Sequence, residues 1–140
     1  MKAAILSLCL VAIMAMQNIQ HTKGSDILNR LKSDDSGVTV VLFTFGDAIK
    51  SNEELTQTND DYEAQLMDVL ASYSKFNYAR VDASNEDYED LIEAATIDVN
   101  QLTRSPSILM AAKREGVWVH GGETLDKISE YAPVYQKRTE

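Results

Sequence analysis

The residues that could carry out chemistry are few, and their spacing limits what they could do. The sequence has one cysteine, Cys9, so neither an intrachain disulfide nor a Cys-x-x-Cys pair is possible. The two histidines, His21 and His120, are too isolated to form a His/Cys metal cluster. These residues predict no catalytic group, no bound metal and no cofactor.

Acidic residues are numerous and often adjacent, as in Asp60-Asp61 and Glu89-Asp90. Neighbours in sequence point apart on a helix, so such pairs are not ready acid/base couples. Most of them fall at predicted helix starts, where the helix dipole favours negative charge. We expect capping or solvated roles for them, with a calcium or catalytic role as the minor alternative; no EF-hand spacing is present.

The strongest structural signal is the apolar stretch at residues 38–45, VTVVLFTF, which predicts a strand covered on both faces. It ends at Gly46-Asp47, a turn signal. Ser51 then begins a predicted helix, with Glu54 completing a capping box. A strand, a sharp turn and a helix are the usual place for chemistry on an α/β scaffold. A serine there needs an activating base, and none is apparent beside Ser51.

Length and composition predict one folded domain. The chain has 140 residues, of which 44% are hydrophobic and 25% charged, as in ordinary globular proteins. Its formal net charge of −9 argues against nucleic-acid binding, because affinity for phosphates comes from clustered Lys and Arg.

Residues 1–20 are predicted to be a signal peptide or an uncleaved signal-anchor helix, followed by a domain at 21–140. Lys2 precedes a run of fourteen uncharged residues at 3–16, with a poor cleavage site after it. If residues 3–19 are retained, they form a membrane anchor of marginal length. A buried helix of the domain is the alternative. The leader favours the secretory pathway or endoplasmic reticulum first and the mitochondrial inner membrane second.

Periodicity and turn signals predict the order α-β-α-β-α-β-β-α after the leader. Further strands are predicted at 76–81, 107–112 and 117–120, with the last two joined by a turn at 113–116. Residues 99–104 are predicted to be a loop. Four helices are predicted from apolar spacing and capping residues. The first follows a Ser25-Asp26 cap and has the apolar residues Ile27, Leu28 and Leu31, whereas the second starts at Ser51, breaks or kinks at 56–59 and has Tyr62, Leu66, Leu70 and Tyr73. The third is capped by Asn85 and has Tyr88, Leu91, Ile92 and Ala95, and the last is capped by Thr124, has Leu125, Ile128 and Ala132, and stops at Pro133.

Residues 25–135 resemble a thioredoxin-like domain. The resemblance rests on the strand VVLFTF, the strand-to-helix segment YARVDASNEDYEDLIEAATI, the segment RSPSILM and the hairpin ending VWVHGG. It implies an α/β fold with a central mixed β-sheet flanked by helices, here with an N-terminal apolar helix. It also implies that Pro106 occupies the position of the family's cis-proline, facing the redox pair.

The departure from the family lies where its two cysteines belong. The resemblance puts Ala48 and Ser51 at those positions, within about one residue, and thiol–disulfide exchange needs a thiolate and a resolving thiol. The sequence therefore predicts a redox-inactive, non-enzymatic member. The groove at the lost redox site is the predicted binding site for a peptide or a subunit, and its residues are Asp47, Ala48, Ile49, Ser51, Arg104, Ser105 and Pro106.

Two side chains near the final hairpin have ordinary structural explanations. We expect His120 to be an edge residue rather than a proton-transfer group. Trp118 is expected on the sheet face, with a role as a partner-binding anchor as the alternative.

Three functional hypotheses follow from the sequence. The first is a non-catalytic accessory subunit of a membrane-associated assembly, with protein subunits as partners. The second is a secreted or luminal, chaperone-like peptide-binding module whose leader is cleaved. The third, an enzyme such as a glutathione-dependent transferase, needs an activating residue that the sequence does not show.

Overall fold

A five-stranded mixed sheet organises the chain in the computed structural model, which describes residues 16–33, 37–46 and 53–140. The strand order is β1-β3-β2-β4-β5. Strands β1 and β2 run parallel to β3, whereas β4 runs antiparallel to both β2 and β5. The strands are β1 (Gln17–Asn18), β2 (Thr39–Thr44), β3 (Asn77–Asp82), β4 (Ser107–Ala112) and β5 (Glu115–Val119).

Helices cover both faces of this sheet. Five α-helices and one 3₁₀ turn are formed by the described residues. They are α1 (Gly24–Leu31), α2 (Glu53–Val69), the 3₁₀ turn (Glu86–Tyr88), α3 (Glu89–Ala94), α4 (Val99–Leu102) and α5 (Thr124–Arg138).

The core has two layers because alternate residues of β2 face opposite sides of the sheet. Val40 and Leu42 pack with the side chains of α2 and α5, including Leu66 and Ile128. Val41 and Phe43 pack in a second cluster with the side chains of α1, α3 and α4. Every residue of β2 is buried. The predicted central strand, covered on both faces, and the mixed sheet flanked by helices are therefore confirmed.

The first strand was not predicted. Gln17 N–H donates to the Phe76 carbonyl (2.9 Å) and Ile19 N–H to the Tyr78 carbonyl (2.8 Å). Met16 and Ile19 are both buried, each in a different core layer. The end of the predicted 1–20 leader is thus built into the sheet. The remainder of the leader, with its predicted apolar helix, lies outside the described residues.

No helix within the described ranges is long and apolar enough to cross a membrane.

Three predicted boundaries are wrong, each because local chemistry or packing overrides the expected break. Helix α2 continues through 56–59, where Asn59 is fully buried; Thr58 Oγ1 donates to the Glu54 carbonyl within the helix (3.0 Å). Residues 99–102 form α4 rather than a loop, since the Asp98 side chain accepts from Asn100 N–H (3.0 Å). Helix α5 does not stop at Pro133; it runs to Arg138, with Pro133 exposed and Ala132 and Tyr135 buried.

The last hairpin is tighter than the predicted turn at 113–116. Ala112 pairs with Glu115, which leaves Lys113 and Arg114 as a two-residue turn. Both have positive φ, 52° and 67°, as a type I′ turn requires. Strand β5 consequently begins at Glu115, two residues earlier than expected.

The capping residue was predicted correctly for one helix, whereas two other helices begin at a different residue from the one predicted. The Asn85 side chain accepts from Asp87 N–H, as expected. Thr124 is instead the first residue of α5, and its hydroxyl donates to the Gly121 carbonyl (2.7 Å). Helix α1 starts after Lys23, and the Asp26 carboxylate accepts from the backbone N–H of Thr22 and of Lys23. The Thr22 bond is the main cause that lowers the pKa of Asp26.

Close approach of α1 to α3 depends on Gly24. A Cβ at this position would overlap the Asp90 carboxylate and lie 3.1 Å from Cβ of Leu91. We predict that Gly24→Ala destabilises the domain by about 1–3 kcal/mol, measured by urea unfolding. The penalty should shrink in an Asp90→Ala background, because the main clash is with that side chain. Equal penalties in both backgrounds would contradict this packing.

Two phenols, the partly buried Tyr62 and the buried Tyr88, make stability depend on alkaline pH. Burial raises the pKa of Tyr62 above its ordinary value of 10.0, against a smaller lowering by a hydrogen bond with Thr124. Burial, followed by the charges of Asp26 and Asp87, raises the pKa of Tyr88. The neutral phenols are favoured in the native state. Their contribution to stability is therefore fully present below pH 10.0 and is lost as pH rises through the raised values.

We predict that Tyr62→Phe and Tyr88→Phe each remove a late-ionising group from the alkaline absorbance titration of the native protein. Urea-unfolded protein, in which the phenols are solvated, provides the reference titration. If both variants left the high-pH end of the native titration unchanged, the two raised pKa values would be refuted.

Candidate functional site

The described part of the predicted groove lies at the end of the sheet where β2 ends and β4 begins. These strands are antiparallel, with Phe43 opposite Ser107, so the end of β2 lies beside the start of β4. Three of the predicted groove residues, Arg104, Ser105 and Pro106, belong to the segment just before β4. The other four, Asp47, Ala48, Ile49 and Ser51, lie outside the described residues.

The segment before β4 is held by bonds to the end of α4. The backbone N–H groups of Arg104 and Ser105 both donate to the Gln101 carbonyl, at 3.1 and 3.4 Å. This turn leaves Arg104 exposed and buries Pro106. No peptide bond among the described residues is cis, so the cis bond that the resemblance implies at Pro106 is not found.

A small polar cleft opens beside Arg104. It has a volume of about 230 Å³ and is formed by the first turns of α2 and the segment after α4. Arg104 supplies a positive charge and Glu54 a negative one, with Leu55 and two threonines between them. The cleft can therefore hold a peptide by charge and hydrogen bonding, and its described lining residues include no nucleophile–base pair. Its lining residues are Glu54, Leu55, Thr58, Thr103 and Arg104.

The exit of the chain from β2 is fixed by Asp82. Gly46 has φ +81°, a conformation that favours glycine, and its N–H donates to Oδ1 of Asp82 (3.0 Å). The same oxygen accepts from the backbone N–H and the hydroxyl of Ser84, at 2.9 and 2.6 Å. The sequence predicted Asp82 only as the end of a strand. Its carboxylate instead holds Gly46, the last described residue before the predicted groove residues at 47–51, against the loop after β3.

A serine–histidine pair at the same edge was missed. Ser107 Oγ and His120 Nδ1 share a hydrogen bond of 2.9 Å across the hairpin. Such a pair could in principle generate a nucleophile. Ser107 is only 1% exposed, however, so its hydroxyl cannot reach a substrate. The pair ties the first residue of β4 to the residue after β5, which agrees with the edge position predicted for His120.

Besides Asp82, several acidic residues act in ion pairs or as a helix cap. Asp60 and Glu63 both bind Arg80, at 2.9 and 3.2 Å. Asp98 caps the short helix α4. Within the described ranges, no three His, Cys, Asp or Glu side chains are grouped so that they could hold a metal ion.

Comparison with known proteins identifies solved structures of similar fold. No protein-family model and no curated protein matches the chain. Among solved structures, thioredoxin O2 from Arabidopsis thaliana is 11% identical with a TM-score of 0.60, covering 85% of this chain and 95% of its own. Thioredoxin from Trypanosoma brucei brucei is 13% identical with a TM-score of 0.59, covering 89% of this chain and 94% of its own. The chain therefore has a thioredoxin-like fold.

The Ser107–His120 bond can be tested by its contribution to stability. We predict that Ser107→Ala lowers the free energy of unfolding by about 1 kcal/mol, since His120 loses a partly buried hydrogen-bond partner. Urea denaturation measures this, with Ser129→Ala on the exposed face of α5 as the control. Equal stability of the two variants would show that the hydrogen bond contributes nothing.

Proposed function

We propose that this chain is a non-catalytic, redox-inactive thioredoxin-like domain that serves as a binding or structural accessory subunit of a membrane-associated protein assembly. The observation that carries the proposal is the position of its one cysteine. Cys9 precedes β1, so the described strands and helices contain no thiol.

The missing thiols matter because the chemistry of the fold depends on them. Exchange needs a thiolate with a lowered pKa and a second thiol that resolves the mixed disulfide. The resemblance puts Ala48 and Ser51 at those positions, and neither side chain can take the role. The buried Ser107 offers no replacement nucleophile.

The remaining use of the groove is to bind a partner protein. The cleft beside Arg104 combines one positive and one negative side chain with an apolar residue, Leu55. Backbone bonds to Gln101 fix the segment that presents Arg104, so little ordering is needed when a partner binds. The partner is another protein subunit that contacts this groove.

The leader supports a membrane location. The uncharged run at 3–16 ends one residue before β1, and Met16 already packs in the core. Since residues 16–19 belong to the fold, a retained leader has only residues 3–15 left for the membrane, fewer than the about 17–25 that a span needs, so it would hold the domain close against the membrane surface. The endoplasmic reticulum is the first choice of compartment and the mitochondrial inner membrane the second.

The open, polar cleft also suits a second candidate, a secreted or luminal peptide-binding module with a cleaved leader. Mass spectrometry of the mature protein separates the two. An intact Met1 supports the anchored subunit, and a start near Gln17 supports the luminal module.

The subunit role predicts that the full-length chain, extracted in mild detergent from the cells that make it, elutes in a complex larger than the detergent-bound monomer. Arg104→Glu should shift the chain toward the monomer, because it reverses the charge that the groove presents. Lys75→Glu, an exposed position after α2, is the matched control and should leave the complex intact. Light scattering coupled to size exclusion measures the masses. A lone wild-type monomer would refute the subunit role, and an unaffected Arg104→Glu complex would refute the groove as its contact.

A further inference from the structure

We propose that residues 16–19, here called the strap, have two alternative positions: bound in the sheet as β1, or drawn out of it to complete a transmembrane segment. The two positions exclude each other, so insertion of the leader across a bilayer releases β1 from the sheet. This device depends on the membrane location given in the proposed function. It adds a change of fold that the membrane controls.

In the sheet, the strap is held at the outer edge by a short strand. Gln17 N–H donates to the Phe76 carbonyl at 2.9 Å, and Ile19 N–H donates to the Tyr78 carbonyl at 2.8 Å. Only Gln17 and Asn18 form the strand itself, and both side chains are exposed. Strand β1 is the end strand of the sheet and pairs with β3. Short segments at the end of a chain are among the parts of a fold that open most readily.

The two buried side chains of the strap suit lipid as well as protein. Met16 and Ile19 are each 7% exposed and pack in opposite core layers. Their side chains make no hydrogen bonds, so hydrocarbon can replace the core around them without leaving a polar group unsatisfied. The polar Gln17 and Asn18 lie near the end of the uncharged stretch, where a transmembrane helix meets the membrane–water interface.

The length of the leader creates the competition for the strap. With β1 in the sheet, residues 3–15 provide thirteen residues, which as a helix would cover about 20 Å of a hydrocarbon core that is roughly 30 Å thick. Adding the strap gives seventeen residues, the lower limit of the about 17–25 that span a bilayer. The sequence permits this extension, because no Asp, Glu, Lys or Arg occurs between Lys2 and Lys23. A spanning leader therefore needs the same residues that the sheet binds.

The chain is fastened to the domain directly after the strap. His21 Nδ1 and the Tyr88 hydroxyl share a hydrogen bond of 2.7 Å, and their rings meet edge to face. The Asp26 carboxylate accepts from the next two backbone N–H groups. Because these contacts begin at residue 21, the strap can leave the sheet while α1 and the rest of the fold stay in place. The exposed Gln20 is then the hinge.

Release of the strap changes the domain in a defined way. It breaks the two hydrogen bonds to β3, takes Met16 and Ile19 out of the core, and leaves β3 as the end strand of the sheet. The thickness of the bilayer decides how many residues the leader needs to span it. The membrane therefore controls the edge of the sheet through the length of the leader.

Bilayer thickness separates the two positions experimentally. The full-length Cys9→Ser chain, spin-labelled at Asn18→Cys and Lys75→Cys, is reconstituted into vesicles of dilauroyl- or dioleoylphosphatidylcholine. Both sites are exposed, and Asn18 pairs with Tyr78, three residues from Lys75. We expect the label–label distance, measured by electron paramagnetic resonance, to be short in the thin dilauroyl bilayer and to shift to longer values in the thicker dioleoyl bilayer. Labels at Lys75→Cys and Lys127→Cys, both exposed positions of the domain, are the matched control and should give the same distance in both lipids.

A longer leader provides the decisive variant. Insertion of four leucines between Ala15 and Met16 supplies a span without the strap, so the short distance should return in dioleoyl vesicles. A short distance in dioleoyl vesicles without the insertion, or a long distance that the insertion does not shorten, would overturn the proposal. Flotation of the vesicles measures membrane binding separately. Protein that does not float refutes the membrane location and the strap with it, whereas floating protein with the same distance in both lipids refutes the strap alone.

Discussion

The antiparallel pairing of β2 with β4 is the constraint on which the rest of the structure depends. Both strands are buried along their whole length, so their backbone groups have to find partners in each other and in β3 and β5. The register runs from Thr39 opposite Ala111 to Phe43 opposite Ser107. It places the segment before β4 beside the end of β2, and it carries the final hairpin to the outer edge of the sheet. The position of the candidate groove follows from this one pairing.

The sequence predicts the buried strands well because their apolar runs are continuous; the bounds of β4 are as predicted. It fails where tertiary packing overrides a local rule. Pro133 lies inside α5 because the neighbouring Ala132 and Tyr135 are buried against the sheet. The four-residue α4 is too short to show periodicity. The two-residue β1 lies within an apolar run that resembles a leader, and its partner is sixty residues away.

The candidate site, too, could be predicted from the sequence only in part. Its position at the segment 104–106 follows from the resemblance, but its contacts depend on register. A two-residue turn at Lys113-Arg114 puts Ser107 opposite His120, and that turn is hard to predict because neither residue is the usual Asn or Gly. The bond from Gly46 to Asp82 joins positions 36 apart, and no local pattern encodes it.

The central claim is that this thioredoxin-like fold acts through its surfaces rather than through sulfur. The most direct measurement is the reduction of insulin disulfides by dithiothreitol, with the full-length chain and its Cys9→Ser variant compared at equal concentration. We expect that neither protein raises the rate of insulin reduction above that of dithiothreitol alone. A rate increase by the wild-type chain that Cys9→Ser abolishes would contradict it.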